Sequence, residues 1–164
     1  MAWEIDLPHS MIGFSGRHLG ISTVIGRFED ADVAVALDGD DPTRWTLSAT
    51  IRTASFTTGF DRRDDGVKQH YLVVDEFPVI TFETRKAQRR GDGFVVTGPL
   101  TLHGVTRDVE LAATYNGDAV DRGMLRRGFS ARGKINRLDF NVGEPGGTVG
   151  DDIELILELE AIQR

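Results

Sequence analysis

The stretch Gly98-Pro99-Leu100-Thr101-Leu102-His103-Gly104-Val105-Thr106-Arg107, continued by Asp108-Val109-Glu110-Leu111, leaves this chain few folds to choose from. Apolar side chains fall on Val96, Leu100 and Leu102, then after Gly104 on Val109, Leu111 and Ala113, so both arms alternate with period two around a tight reversal. The pattern predicts a β-hairpin with one apolar face and one wet face. Gly98 falls on the apolar face, where a missing side chain either admits a neighbouring backbone or leaves room for something else.

The rest of the chain repeats this alternation. Trp3 and Ile5 open a short strand, Pro8 breaks it, and Ile12, Phe14 and Gly16 share the inward face of the next run with His18. Between Thr23 and Leu37 the phase changes: Val24, Gly26 and Phe28 are even-numbered, Val33, Val35 and Leu37 odd, which predicts a bend or bulge near Glu29-Asp30. Trp45, Leu47, Ala49 and Ile51 alternate again. So do Ile80 with Phe82, the Phe94–Leu102 arm, Phe129 to Ile135 and Ile153 to Leu159. Only residues 55–74 break the rule: Asp61-Arg62-Arg63-Asp64-Asp65-Gly66, then Val67, Tyr71 and Leu72, are spaced for a short helix across one end of the sheet, as a lid or as a plain cap. About eight long strands on short turns, with no βαβ alternation, predict an all-β antiparallel up-and-down barrel or sandwich. A strong final strand fits closure, since an unpaired Ile-Glu-Leu-Ile-Leu-Glu-Leu edge invites aggregation. With 164 residues and nine phenylalanines the chain suits a single domain, residues 1–164.

The residues assemble no recognisable catalytic or metal motif. Zero cysteines exclude a disulfide framework, a thiol nucleophile and Cys-based metal sites. His9, His18, His70 and His103 lie in unrelated segments, and Gly-x-Ser-x-Gly and phosphate-cradling loops are missing. Neither catalytic nor metal residues are therefore assigned. A net charge of -7 argues against nucleic acid, and the Arg89-Arg90 and Arg126-Arg127 doublets read as solvated strand ends. No apolar run approaches the roughly 20 residues that cross a bilayer, so stable membrane insertion is not expected. Met1-Ala2-Trp3-Glu4-Ile5-Asp6 has no basic region followed by an apolar core, which gives a cytoplasmic expectation.

Trp3-Glu4-Ile5-Asp6 with His9-Ser10, then Arg17-His18-Leu19-Gly20-Ile21-Ser22-Thr23-Val24-Ile25-Gly26-Arg27-Phe28, Phe77-Pro78-Val79-Ile80-Thr81-Phe82 and Gly98 to Arg107 together resemble the YceI family, in order and over nearly the whole chain. The resemblance implies an extended lipocalin-like antiparallel barrel that holds a long polyisoprenoid or other amphiphilic lipid, such as an isoprenoid quinone or a fatty amphiphile, with no further cofactor. It also implies a possible homodimer. One segment departs from the family pattern: Arg63-Asp64 is followed by Asp65-Gly66-Val67, and His70-Tyr71-Leu72 stands where an Asp-Phe-Leu is usual.

Strands of about ten residues make a tube roughly 33 Å long before tilt, comparable with the apolar thickness of a bilayer. A carrier of this kind places Phe14, Val35, Trp45, Leu47, Phe82, Phe94, Leu102, Leu111 and Phe129 on the cavity wall, with His18 at the mouth as a head-group contact or as a histidine bonded to backbone. Gly26, Gly98 and Gly133 either widen the lumen or relieve crowding between coiled strands. The alternative is an isomerase or hydrolase of a hydrophobic small molecule, with His18 as base.

Overall fold

The computed structural model describes residues 2–164. Its strands are β1 (Trp3–Ile5), β2 (Met11–His18), β3 (Ser22–Phe28), β4 (Ala31–Ala36), β5 (Thr46–Arg52), β6 (Phe56–Thr57), β7 (Val79–Glu83), β8 (Lys86–Arg90), β9 (Gly93–Leu102), β10 (Val105–Asp121), β11 (Met124–Asn136) and β12 (Val149–Gln163). All pairings are antiparallel. The order runs β1-β4-β5-β7-β9-β10-β11-β12, and β1 also pairs β12, which closes the sheet on itself.

Four pairs of these strands are single bent strands, so the twelve reduce to the eight of a closed barrel. Between β1 and β2 lies a tight turn at Leu7–His9 with Pro8 inside it, where the ring supplies no donor and the ladder stops. Between β3 and β4 lies the predicted break at Glu29-Asp30. Upstream of it β3 pairs β2 and β6, and downstream β4 pairs β1 and β5, so the phase change in the sequence is the point where one strand turns to a new set of neighbours. The hairpin that dominates the sequence is β9–β10, in register from Val105 opposite Leu102 to Ala113 opposite Phe94.

Strand β12 gives the barrel its direction. Val149 lies opposite His18 and Gln163 opposite Trp3, so the β2–β3 turn and the β1 strand mark opposite ends. At the β2–β3 end sits the predicted helix, α1 (Asp61–Val67), continued by a wider turn at Lys68–Leu72 and ended by Val73 in the left-handed region at φ 50°. Aspartates in the first turn suit the positive end of the helix dipole. Asp64 does more than that. It is buried, and its carboxylate accepts the backbone N–H of Thr58 at 2.8 Å together with the Thr58 hydroxyl, tying α1 to the end of β6. Beyond the helix, buried Thr53 donates its hydroxyl to the Phe77 carbonyl at 2.8 Å and brings the chain back to the sheet.

The interior divides into two apolar clusters. One contains Ile51, Phe56, Leu72, Ile80, Leu100, Leu102, Ile135 and Phe140 and lies towards α1. The other, around Trp3, Leu37, Trp45 and Ala161, with Val35, Tyr115 and Phe129 packed on it, fills the opposite end. No helix among the described residues is long and apolar enough to cross a membrane.

Candidate functional site

Inward-facing positions on β2, β5, β7, β9, β10 and β12 enclose a cavity of about 570 Å³ between the first cluster and α1. Phe14, Leu47, Ile51, Phe82, Leu111 and Leu157 are typical of its wall. The volume falls inside the range of small-molecule sites, and the near absence of polar atoms in the deep wall means that only dispersion and the hydrophobic effect act there. Polar groups gather at one end. Arg17, His18, Thr58, Arg62, Arg63, His70 and Thr148 form the rim, and no aspartate or glutamate lines the cavity among the described residues, although the chain has 26 of them.

Helix periodicity explains this bias. Arg62, Arg63, Gly66, Val67, His70 and Tyr71 recur at helical spacing on the cavity side, while Asp61 and Asp65 occupy other positions of the same turns. Arg63 is held by Thr58, donating to its hydroxyl at 2.7 Å and to its carbonyl at 3.2 Å. Arg17 donates to the Thr23 hydroxyl at 2.8 Å and to the Gly20 carbonyl at 3.1 Å. No ion pair involves Arg17, Arg62 or Arg63 among the described residues, although ten other arginine and lysine side chains are paired. Burial raises the pKa of Asp64, but the hydrogen bonds from the Thr58 side chain and backbone and from Thr57 outweigh it, so this anchor stays a carboxylate.

A buried arginine shapes the rest of the rim. Arg137 is 2% exposed and donates to the carbonyls of Val142 (2.8 Å), Gly150 (3.0 Å), Glu144 (3.1 Å) and Val149 (3.1 Å), which folds residues 142–150 over the cavity beside Tyr71. A charged donor satisfied by several carbonyls is among the stronger buried hydrogen-bond arrangements.

Of the ten residues placed on the wall from sequence, Phe14, Leu47, Phe82, Leu102 and Leu111 line the cavity, with His18 on its exposed rim. The other four do not. Val35, Trp45 and Phe129 point inward as predicted but belong to the second cluster, where Trp45 meets Tyr115 and Phe129 edge-on at 5.2 and 5.5 Å and no space is left. Phe94 is buried where β8, β9 and β10 meet, opposite Arg89 and Ala113, away from the cavity. The inward glycines do not widen the lumen either. A Cβ at Gly98 would lie 1.8 Å from the Glu83 carbonyl oxygen, one at Gly26 2.4 Å from the Phe14 ring and one at Gly133 2.7 Å from Leu111, so each permits a close approach.

The Arg126-Arg127 doublet is a second correction, for Arg127 is buried and Arg126 is half-buried and ion-paired. Arg127, 6% exposed, lies between the rings of Trp3 and Trp45 at 4.8 and 4.7 Å and donates to the carbonyls of Leu37 (2.6 Å) and Gly39 (2.8 Å) and to Asp118. Arg126 bridges Asp6 at 2.7 Å and Glu160 at 2.6 Å. Asp6, His9 and Glu160 also bring their ligand atoms within 4.8 Å of one another, a grouping that the sequence does not suggest, but the guanidinium already supplies the positive charge between the carboxylates. Its hydrogen bond holds the Asp6 carboxyl below the ordinary value of 3.8.

Comparison with known proteins agrees with the architecture. The model of a family described as the YceI-like domain matches residues 3–161. A UPF0312 protein of Yersinia pestis is 37% identical over 157 residues, covering 94% of this chain and 82% of the relative. Burkholderia cenocepacia BcnA superposes with a TM-score of 0.83 at 23% identity, covering 96% of this chain and 99% of BcnA. A polyisoprenoid binding domain from Saccharophagus degradans superposes at 0.70 and 15% identity, covering 100% and 99% of the two chains.

Proposed function

The chain belongs to the YceI-like domain family, and from that premise and the shape of the cavity we propose that it binds and carries, without catalysis, a long-chain amphiphilic lipid, with a polyisoprenoid as the leading candidate. One observation carries this reading: the cavity is apolar throughout its depth, and its charged wall groups are cationic and gathered at the open end. A lipid tail gains on the order of 0.8 kcal/mol for each methylene it buries, so the deep wall needs no polar contact to bind tightly. The head group then rests among Arg17, His18, Arg62, Arg63 and His70, which favours an anionic or strongly hydrogen-bond-accepting group. The likeness to a polyisoprenoid binding domain supports the choice of tail.

The second cluster sets how deep that tail can go. Trp45, Tyr115 and Phe129 stop the lumen well short of the far end, so a chain longer than the hollow part must fold back or protrude from the mouth. The alternative of an enzyme with His18 as base gains no partner from the geometry, since among the described residues no carboxylate lines the wall beside it.

Organic extraction of the purified protein, run beside native mass spectrometry of the intact sample, tests the reading. A stoichiometric isoprenoid, quinone or fatty amphiphile is expected. A well-folded protein that is empty, and stays empty when offered such lipids, overturns it.

A further inference from the structure

Four of the seven large apolar side chains exposed among the described residues flank the mouth of the cavity. Leu19 (58% exposed) and Ile21 (78%) form the tip of the β2–β3 hairpin, Ile25 (61%) faces outward from β3, and Phe60 (57%) leads into α1. The tip is unusual chemically. His18-Leu19-Gly20-Ile21 is a two-residue reversal closed by a hydrogen bond from the Ile21 N–H to the His18 carbonyl, with both Leu19 (φ 55°) and Gly20 (φ 69°) in the left-handed region. Such turns ordinarily carry Asn-Gly or Asp-Gly, because a short polar side chain tolerates that conformation. The β9–β10 and β10–β11 turns use the same left-handed pair with polar first residues, His103-Gly104 and Arg122-Gly123, whereas here the first residue is a leucine and an isoleucine follows the glycine, both facing water.

The same rim carries Arg17, Arg62 and Arg63, which engage only neutral partners or none, while the protein as a whole has a net charge of -7. Apolar side chains beside arginines that form no ion pair among the described residues match one kind of surface, the interface of a bilayer with anionic head groups. A polar protein partner would not reward the exposed leucine and isoleucine, and nucleic acid would not reward them either. We propose that the open end docks on an anionic membrane, with Leu19 and Ile21 inserted between the head groups and the arginines on their phosphates. This inference rests on the lipid-carrier reading and gives it a loading site: the mouth faces the reservoir from which the lipid comes.

Co-sedimentation of the full chain with vesicles of phosphatidylcholine, with and without phosphatidylglycerol, tests the docking separately from carriage. The wild type is expected to partition onto the anionic vesicles only, and to be released by salt. Replacing the tip, Leu19→Asn with Ile21→Ser, suits the turn and touches no wall residue, and should lower the partition coefficient by about tenfold or more. Val120→Ser, at an equally exposed position (72%) on the opposite end, should leave it unchanged. Equal binding to both vesicle types, no binding to either, or equal losses from the tip variant and Val120→Ser would each overturn the proposal. Native mass spectrometry of the same samples keeps the two readings apart. A tip variant that still holds its lipid but no longer sediments supports docking with carriage intact. A wild type that sediments yet never holds lipid supports docking and removes carriage.

Discussion

The two ends of this barrel share the same eight strands and the same device, a buried arginine that gathers backbone carbonyls, yet one end is solid and the other hollow. At the solid end Arg127 is stacked between Trp3 and Trp45, and Tyr115 and Phe129 complete an aromatic plug. At the hollow end Arg137 serves the 142–150 loop, and the wall mixes leucine, isoleucine and valine with Phe14, Phe28 and Phe56, whose rings pack on one another at the wall and leave the lumen open. A closed eight-stranded sheet therefore does not decide whether it holds a ligand. The way the inward side chains pack across the lumen or along its wall does, layer by layer.

Removing the plug breaks the contrast most severely. Trp45→Ala deletes a buried aromatic and its edge-on partners, and should cost about 3–5 kcal/mol, read as a shift of the denaturation midpoint. If the plug is the floor of the cavity, the same variant should also accept longer-chain lipids in native mass spectra. Filling the hollow end works in the opposite direction. Leu157→Trp, on the cavity wall, should abolish lipid retention while raising stability by about 0.5–2 kcal/mol, as cavity-filling substitutions often do. A destabilised variant that still retains lipid would show that the space is less open than described.

The smallest effect concerns how the solid end is shut. Arg126 holds the carboxyl of Asp6 below 3.8, so folding favours the deprotonated form. The stability this gives is complete above that ordinary value and is lost as pH falls through the lower, folded value. A stability–pH curve should thus drop more steeply below about pH 4 in the wild type than in Asp6→Asn, and parallel curves would remove the clamp from the account.

Much of this was legible in the sequence, because period two is a strong local signal. The β9–β10 hairpin, the break at Glu29-Asp30 and the lone helix at 61–67 all follow from spacing alone. What spacing cannot convey is the neighbour across the lumen. Trp45 and Leu47 obey one alternation and point the same way, but only three-dimensional register puts the first against Phe129 and the second on open space. The same limit explains the arginines. Arg127 is buried because its carbonyl partners lie at Leu37 and Gly39, about ninety positions earlier in the chain, and a charged doublet by itself gives no hint of them. Arg62 and Arg63 were within reach: their helical spacing with Gly66, Val67, His70 and Tyr71 marks a single face, and only the direction of that face was missing.

Both tryptophans of the chain belong to the plug, and the guanidinium of Arg127 is sandwiched between them. The intrinsic fluorescence of the protein is in consequence a gauge of one end only. It reports the aromatic stack and is blind to what enters the cavity by the other end, so an emission change on adding lipid signals that the floor itself has moved.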